Sequence, residues 1–165
     1  MRKLYLPTLA LLLSSACAVA NDSFEKTFLE QKITSYEIAL GECMAMGSEA
    51  ALPDENAIKA LGEYPQRDVE IFLITHAAEM EDKCASPQLG ELAIALHLIE
   101  ASEHTNETTR ALRVETSEMV FSQARWGLKH QYLELPEEMK DSLTSHTAFQ
   151  QPFNSILIRN HLTTR

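Results

Sequence analysis

Four residues in one stretch carry the side chains of a metal site: His97, Glu100, His104 and Glu107. Imidazole and carboxylate both ligate zinc or iron, and helical bundles hold such ions between facing helices. On an uninterrupted helix, steps of three, four and three bring all four to one side. As a signature the set is incomplete. One helix supplies all the ligands, the Glu-x-x-His spacing of di-iron bundles is missing, and a break near Thr105 would scatter the group. The competing reading is an exposed acidic helix end with two surface histidines. The sequence demands no cofactor, and a metal ion here is one it would permit.

Sulfur is the second candidate chemistry. Cys43-Met44-Ala45-Met46 holds the soft ligands that copper(I) favours. Neighbouring residues on a helix do not face one way, so Met44 and Met46 are expected as core fillers. Cys43 has a better use. Once an exported chain has lost its leader, Cys43 and Cys84 are the two cysteines left. An even count in an oxidising compartment reads as a disulfide, closing a loop of about 40 residues and stabilising the chain by about 4 kcal/mol. No C-x-x-C occurs, which removes thioredoxin-like and c-type haem chemistry.

Two further residues invite a functional reading. His76 falls on an apolar helical face, where a lone histidine is expected as a hydrogen-bonded core group rather than a ligand or pH switch. Trp126 is the sole tryptophan, beside Arg125 and near Lys129 and His130. It reads either as packed or as an anchor for a partner, since Trp and Arg are enriched at binding hot spots. The acidic run Glu79, Glu81, Asp82 reads as a solvated face, and the sequon Asn106-Glu107-Thr108 carries no weight alone.

Absences narrow the classes. G-x-S-x-G, H-E-x-x-H, the P-loop, G-x-G-x-x-G and the EF-hand loop are all missing, and five glycines leave little for phosphate-cradling turns. Twenty-four acidic residues against 14 basic ones give a net charge of −10, the wrong sign for a nucleic-acid binder. A 45% hydrophobic content is too high for disorder, and 165 residues suffice for one domain with a sizeable core.

The N-terminus explains the cysteine argument. Arg2 and Lys3 precede an apolar run, Leu4 to Leu13, and Ala18-Val19-Ala20 forms an A-x-A site before polar Asn21. Residues 1–20 are expected to be a cleaved signal peptide, with 21–165 as one helical domain. Export is expected to be periplasmic for a Gram-negative source and secretory otherwise. A lipoprotein anchored through Cys17 is less favoured, because Ser14 stands where a lipobox needs an apolar residue. No segment is long enough to be a transmembrane span.

The elements that must position these residues read as helices. Ala, Leu and Glu dominate, and no stretch alternates with period two. A first helix from about Asp22 to Ala50 carries the stripe Phe24, Phe28, Ile33, Tyr36, Leu40, Cys43. A short helix follows from Asp54, with Ile58 and Leu61. The third, Pro65 to Lys83, has Val69, Phe72, Leu73, His76 and Met80 on one face. The fourth is expected to be capped by Ser86, with Pro87 at its first position. The fifth is expected to run from Asn106 to Leu133. On it Leu112, Met119, Trp126 and Leu133 recur at steps of seven, but Thr116, Gln123 and His130 fill the companion positions. So narrow a stripe suggests packing across a groove or a subunit seam. Two short helices, 136–149 and 153–162, complete the chain.

The expected fold class is all-α: a single-domain bundle of four or five main helices plus short ones, stapled by one disulfide. The expected function is interaction with another envelope or secreted protein, or self-association, as an adaptor, accessory or chaperone-like module without catalysis. Leu112, Met119 and Trp126 are the candidate contacts. The alternative is a metal- or small-ligand-binding bundle using His97, Glu100 and His104. An enzyme with an unmarked site is a third reading, which no motif supports.

Overall fold

The computed structural model describes residues 8–121 and 123–164, with side-chain surroundings for 24–121 and 126–164. Among them every regular element is a helix: α1 (Thr8–Glu49), α2 (Glu55–Leu61), α3 (Gln66–Cys84), α4 (Ser86–Ala101), α5 (Glu107–Val120), α6 (Gln123–Leu133), α7 (Glu137–Thr144), a 3-10 turn (Thr147–Phe149) and α8 (Ser155–Thr163). The side chain of Cys17, and residues 1–7 of the expected leader, lie outside the described residues. The first turns of α1 belong to the stretch read as a signal peptide. None of the described helices is long and apolar enough to cross a membrane.

Local chemistry sets most boundaries. Asp54, Asn106 and Asn154 each accept a hydrogen bond from the backbone N–H three residues on, at 2.9, 2.7 and 2.8 Å. Each so satisfies one of the donors that a helix start leaves unpaired. Pro65 and Pro136 stand immediately before α3 and α7. The start of α4 departs from expectation by one residue. Ser86 is the first helical residue, and Ala85 occupies the cap without any side-chain bond. Ala85 is fully buried, so α3 and α4 are hinged on one small core residue.

Two apolar cores form among the described residues. In the first, α2, α3, α6, α7 and α8 converge on Phe72, Leu73, Met139, Leu143, Phe149 and Ile158. In the second, α1, α4 and α5 converge on Leu29, Tyr36, Leu92, Ala95, Ile99 and Val120. Each fully buried side chain of this size contributes about 1.5–3 kcal/mol of transfer free energy. The α3 helix joins the two cores. Its body lies in the first, and its last residue, Cys84, is bonded to Cys43 on the second-core face of α1, with Cα atoms 6.0 Å apart. The expected disulfide is therefore present.

The α1 stripe differs in detail from the expected one. Leu29, Tyr36 and Cys43 are buried, with Phe28, Ile33 and Leu40 partly buried beside them, while Phe24 is exposed. Met44 and Met46 are also exposed and do not fill the core. Gly47 continues the buried side. A Cβ there would sit 3.4 Å from the backbone N and O of Phe153, so glycine allows the close approach of the chain before α8. The Asn154 amide donates to Ser48 O at 3.0 Å and fastens that approach.

The largest correction concerns the expected fifth helix. It is two helices, parted at Phe121, so Leu112, Met119, Trp126 and Leu133 do not share one continuous face. The buried face of α5 is Thr109, Thr116 and Val120, facing the second core, while α6 presents Tyr132 to the first. The chain changes core between the two helices, and it breaks where it crosses.

Candidate functional site

That crossing opens a groove of about 370 Å³. The α3 helix contributes Ile74, Thr75, Ala78, Glu79 and Asp82, and Leu89 comes from α4. Val120 and Phe121 close the end of α5, and Trp126, Leu128 and Lys129 come from α6. Its walls are apolar and open to water. Trp126 is 66% exposed and Phe121 45%, and Ile74 and Leu128 are exposed too. Met119, one turn before the break, is 57% exposed, whereas Leu112 is half-buried against the second core. The three expected contacts thus divide: Trp126 lines the groove, Met119 faces solvent nearby in sequence, and Leu112 serves the core. Arg125, expected beside Trp126, lies outside the residues whose side chains are described.

One polar atom in this wall lacks a partner. The hydroxyl of Thr75 is buried and makes no hydrogen bond. Leaving such a group dry and unpaired costs about 1–3 kcal/mol. Thr109, fully buried in the first turn of α5, shares that condition but lines neither of the described cavities. Nothing in the sequence marks Thr75, since a threonine beside an apolar face reads as filler.

Behind the groove a buried network fixes its α3–α6 wall. His76 Nε2 lies 2.8 Å from the carbonyl oxygen of Phe149, which only accepts, so Nε2 carries the proton. In the neutral ring Nδ1 then accepts from the Tyr132 hydroxyl at 3.2 Å. The imidazole stacks on Phe72 at 5.0 Å and lies nearly parallel to Tyr132 at 6.1 Å. Glu79 approaches Nδ1 at 3.4 Å and is ion-paired with Lys129, whose ammonium lies 5.4 Å from the Tyr132 ring centre. Burial, above all, lowers the His76 pKa from its ordinary 6.5; the Phe149 bond opposes this, and Lys129 and Lys83 add to it. Burial raises Tyr132 above its usual range, with Glu137 acting in the same direction. His76 is therefore a neutral, hydrogen-bonded core histidine, as its apolar face implied. The half-exposed Glu79–Lys129 pair contributes no more than about 1 kcal/mol.

The possible metal ligands are not brought together. The α4 helix ends at Ala101, so His97 and Glu100 lie on it, His104 sits in the loop and Glu107 opens α5. All four are exposed, and Glu100 pairs with Arg113 at 3.5 Å. That loop is held instead by Glu25 of α1, whose carboxylate accepts from the hydroxyls of Ser102 and Thr105, both at 2.7 Å. Among the described residues no three His, Cys, Asp or Glu side chains are arranged to hold a metal ion. A second cavity, of about 260 Å³, lies between the α2–α3 turn and α8, lined by Leu61, Tyr64, Val69, Leu73, Arg159 and Leu162 among others.

The chain matches no protein-family model, no curated protein and no solved structure.

Proposed function

We propose that the protein acts by binding another protein at the Trp126 groove, as an adaptor, accessory or chaperone-like module rather than a catalyst. The observation that carries this is the grouping of Ile74, Phe121, Trp126 and Leu128 around one opening, each exposed. Single exposed apolar residues are ordinary, but a cluster rimmed by charge, here Glu79, Asp82 and Lys129, marks an interaction surface. Aromatic residues in such a position are the usual energetic anchors. A small ligand would be more enclosed than these walls allow. The setting is an oxidising, exported compartment: the leader-like N-terminus calls for it, and the disulfide is compatible with it.

The test is native mass spectrometry of the protein released gently from that compartment, as wild type and as Trp126→Ala. The expected result is a bound protein on the wild type that is lost from the variant, with Tm changed by no more than about 2 °C. Unchanged association together with a large fall in Tm would make Trp126 a core residue and end this reading.

A further inference from the structure

The cavity between the α2–α3 turn and α8 shares no lining residue with the Trp126 groove. Its apolar walls are Leu61, Val69 and Leu73, all buried, with Leu162 of α8 half-buried beside them. Arg159, Leu162 and Thr163 line it together. Steps of three and four share one side of a helix, so α8 turns that side-chain face to the cavity. Arg159 is set apart by its lack of a counter-charge. Among the described residues, Lys26, Lys32, Arg113, Lys129 and Lys140 are the other lysines and arginines that are at least partly buried, and each pairs with a carboxylate. Arg159, also partly buried, pairs with none, in a chain of 24 acidic residues. A guanidinium drawn partly out of water and left unpaired is a group that a bound anion satisfies.

The walls narrow that anion. Glu70 also lines the cavity, and its carboxylate accepts a hydrogen bond from the Gln66 amide at 3.0 Å. A dianion such as phosphate would bring twice the charge toward Glu70 with one cation to hold it. A cationic head would enter beside Arg159 and leave that charge uncompensated. A carboxylate carries a single charge, and its two oxygens match the guanidinium fork. The rest of the ligand is apolar, because Leu61, Val69, Leu73 and Leu162 offer it no hydrogen bond. It is also short, since about 260 Å³ falls under the roughly 300–1,000 Å³ of drug-sized sites. We infer that this cavity binds a small monocarboxylate with an apolar body, its head on Arg159. The site is independent of the Trp126 groove and of the reading proposed for it.

The experiment titrates the full chain near neutral pH with three ligands that share one body: octanoate, octanol and octylammonium. The readout is the amide NMR signals of Leu61, Gly62 and Leu162. Octanoate should bind at these residues about ten-fold more tightly than octanol, the size of one charge-assisted hydrogen bond, and octylammonium should bind most weakly. The order is diagnostic because a net charge of −10 would by itself attract the cation and repel the anion. Arg159→Gln should abolish the advantage of octanoate and leave the affinity for octanol as it was, which also shows that the variant is folded. Arg110→Gln removes the same charge from an exposed position on α5 and should leave the order unchanged. Octylammonium binding as tightly as octanoate would make Glu70 the anchor and overturn the inference. So would a preference for octanoate that survives Arg159→Gln, shifts that map elsewhere, or no binding of octanoate at all.

Discussion

Two stripes in this chain share a spacing of seven and meet opposite fates. Leu29, Tyr36 and Cys43 on α1 are buried; Leu112, Met119 and Trp126 become steadily more exposed along α5 and α6. The difference lies in the companion positions. Ile33, Leu40 and Gly47 fill the intervening steps of the first stripe, giving a band wide enough to bury. Thr116 and Gln123 fill those of the second. Thr116 is buried all the same, its hydroxyl returning to Leu112 O at 2.7 Å, so α5 turns a threonine edge inward and Met119 outward. A seven-residue period by itself therefore does not distinguish a core seam from an exposed face.

The comparison can be broken most severely at Cys43, where the first stripe meets the disulfide. Cys84→Ser removes the bridge, and urea unfolding should show a loss of about 4 kcal/mol. A loss under about 1 kcal/mol would mean that the unfolded chain is not constrained by this link. Next in size is Leu29→Ala. Its side chain is fully buried, and truncation should cost about 2–5 kcal/mol in the same assay.

An acid titration separates the cores by another route. His76 lies in the first core, and its pKa is lowered from 6.5 in the folded chain. Between the lowered value and 6.5 the unfolded chain binds more protons. Stability from this group is therefore complete above about pH 6.5 and is lost as pH falls through the folded value. His76→Gln can still donate to Phe149 O and should flatten that part of the stability–pH curve. A curve as steep as the wild type's would assign the acid sensitivity elsewhere.

The smallest effect is the most informative. Trp126→Ala and Met119→Ala delete large side chains from the second stripe, yet each should change stability by no more than about 0.5 kcal/mol. Leu112→Ala, from the same stripe but half-buried, should cost more than either, and equal values for all three would erase the gradient.

Much of this was legible in the residues. The helix starts at Asp54, Pro65 and Asn106 were legible, because the backbone preferences of Asp, Pro and Asn act locally, whereas their capping bonds were not read from the sequence. The disulfide followed from counting the cysteines left after the stretch read as a leader. The division of the fifth helix was not legible, since Met119-Val120-Phe121 contains neither glycine nor proline. The helix ends there because its two halves serve different cores, a tertiary cause without a local signal. The groove follows from that division, so Trp126 could be singled out as an anchor while Thr75, Phe121 and Leu128 could not be assembled around it. The His97 set is spread out for a tertiary reason as well: α4 ends at Ala101, and the turn at Ser102 is tied to Glu25, a residue 77 positions away.

The central claim is that the second stripe ends in an exposed side chain kept for a partner. Acrylamide quenching of the sole tryptophan, free and in the complex, tests it directly. The free protein should emit at long wavelength and be readily quenched, and the complex should shift to the blue and become protected. Blue, protected emission from the free protein would place Trp126 in a core and contradict the account.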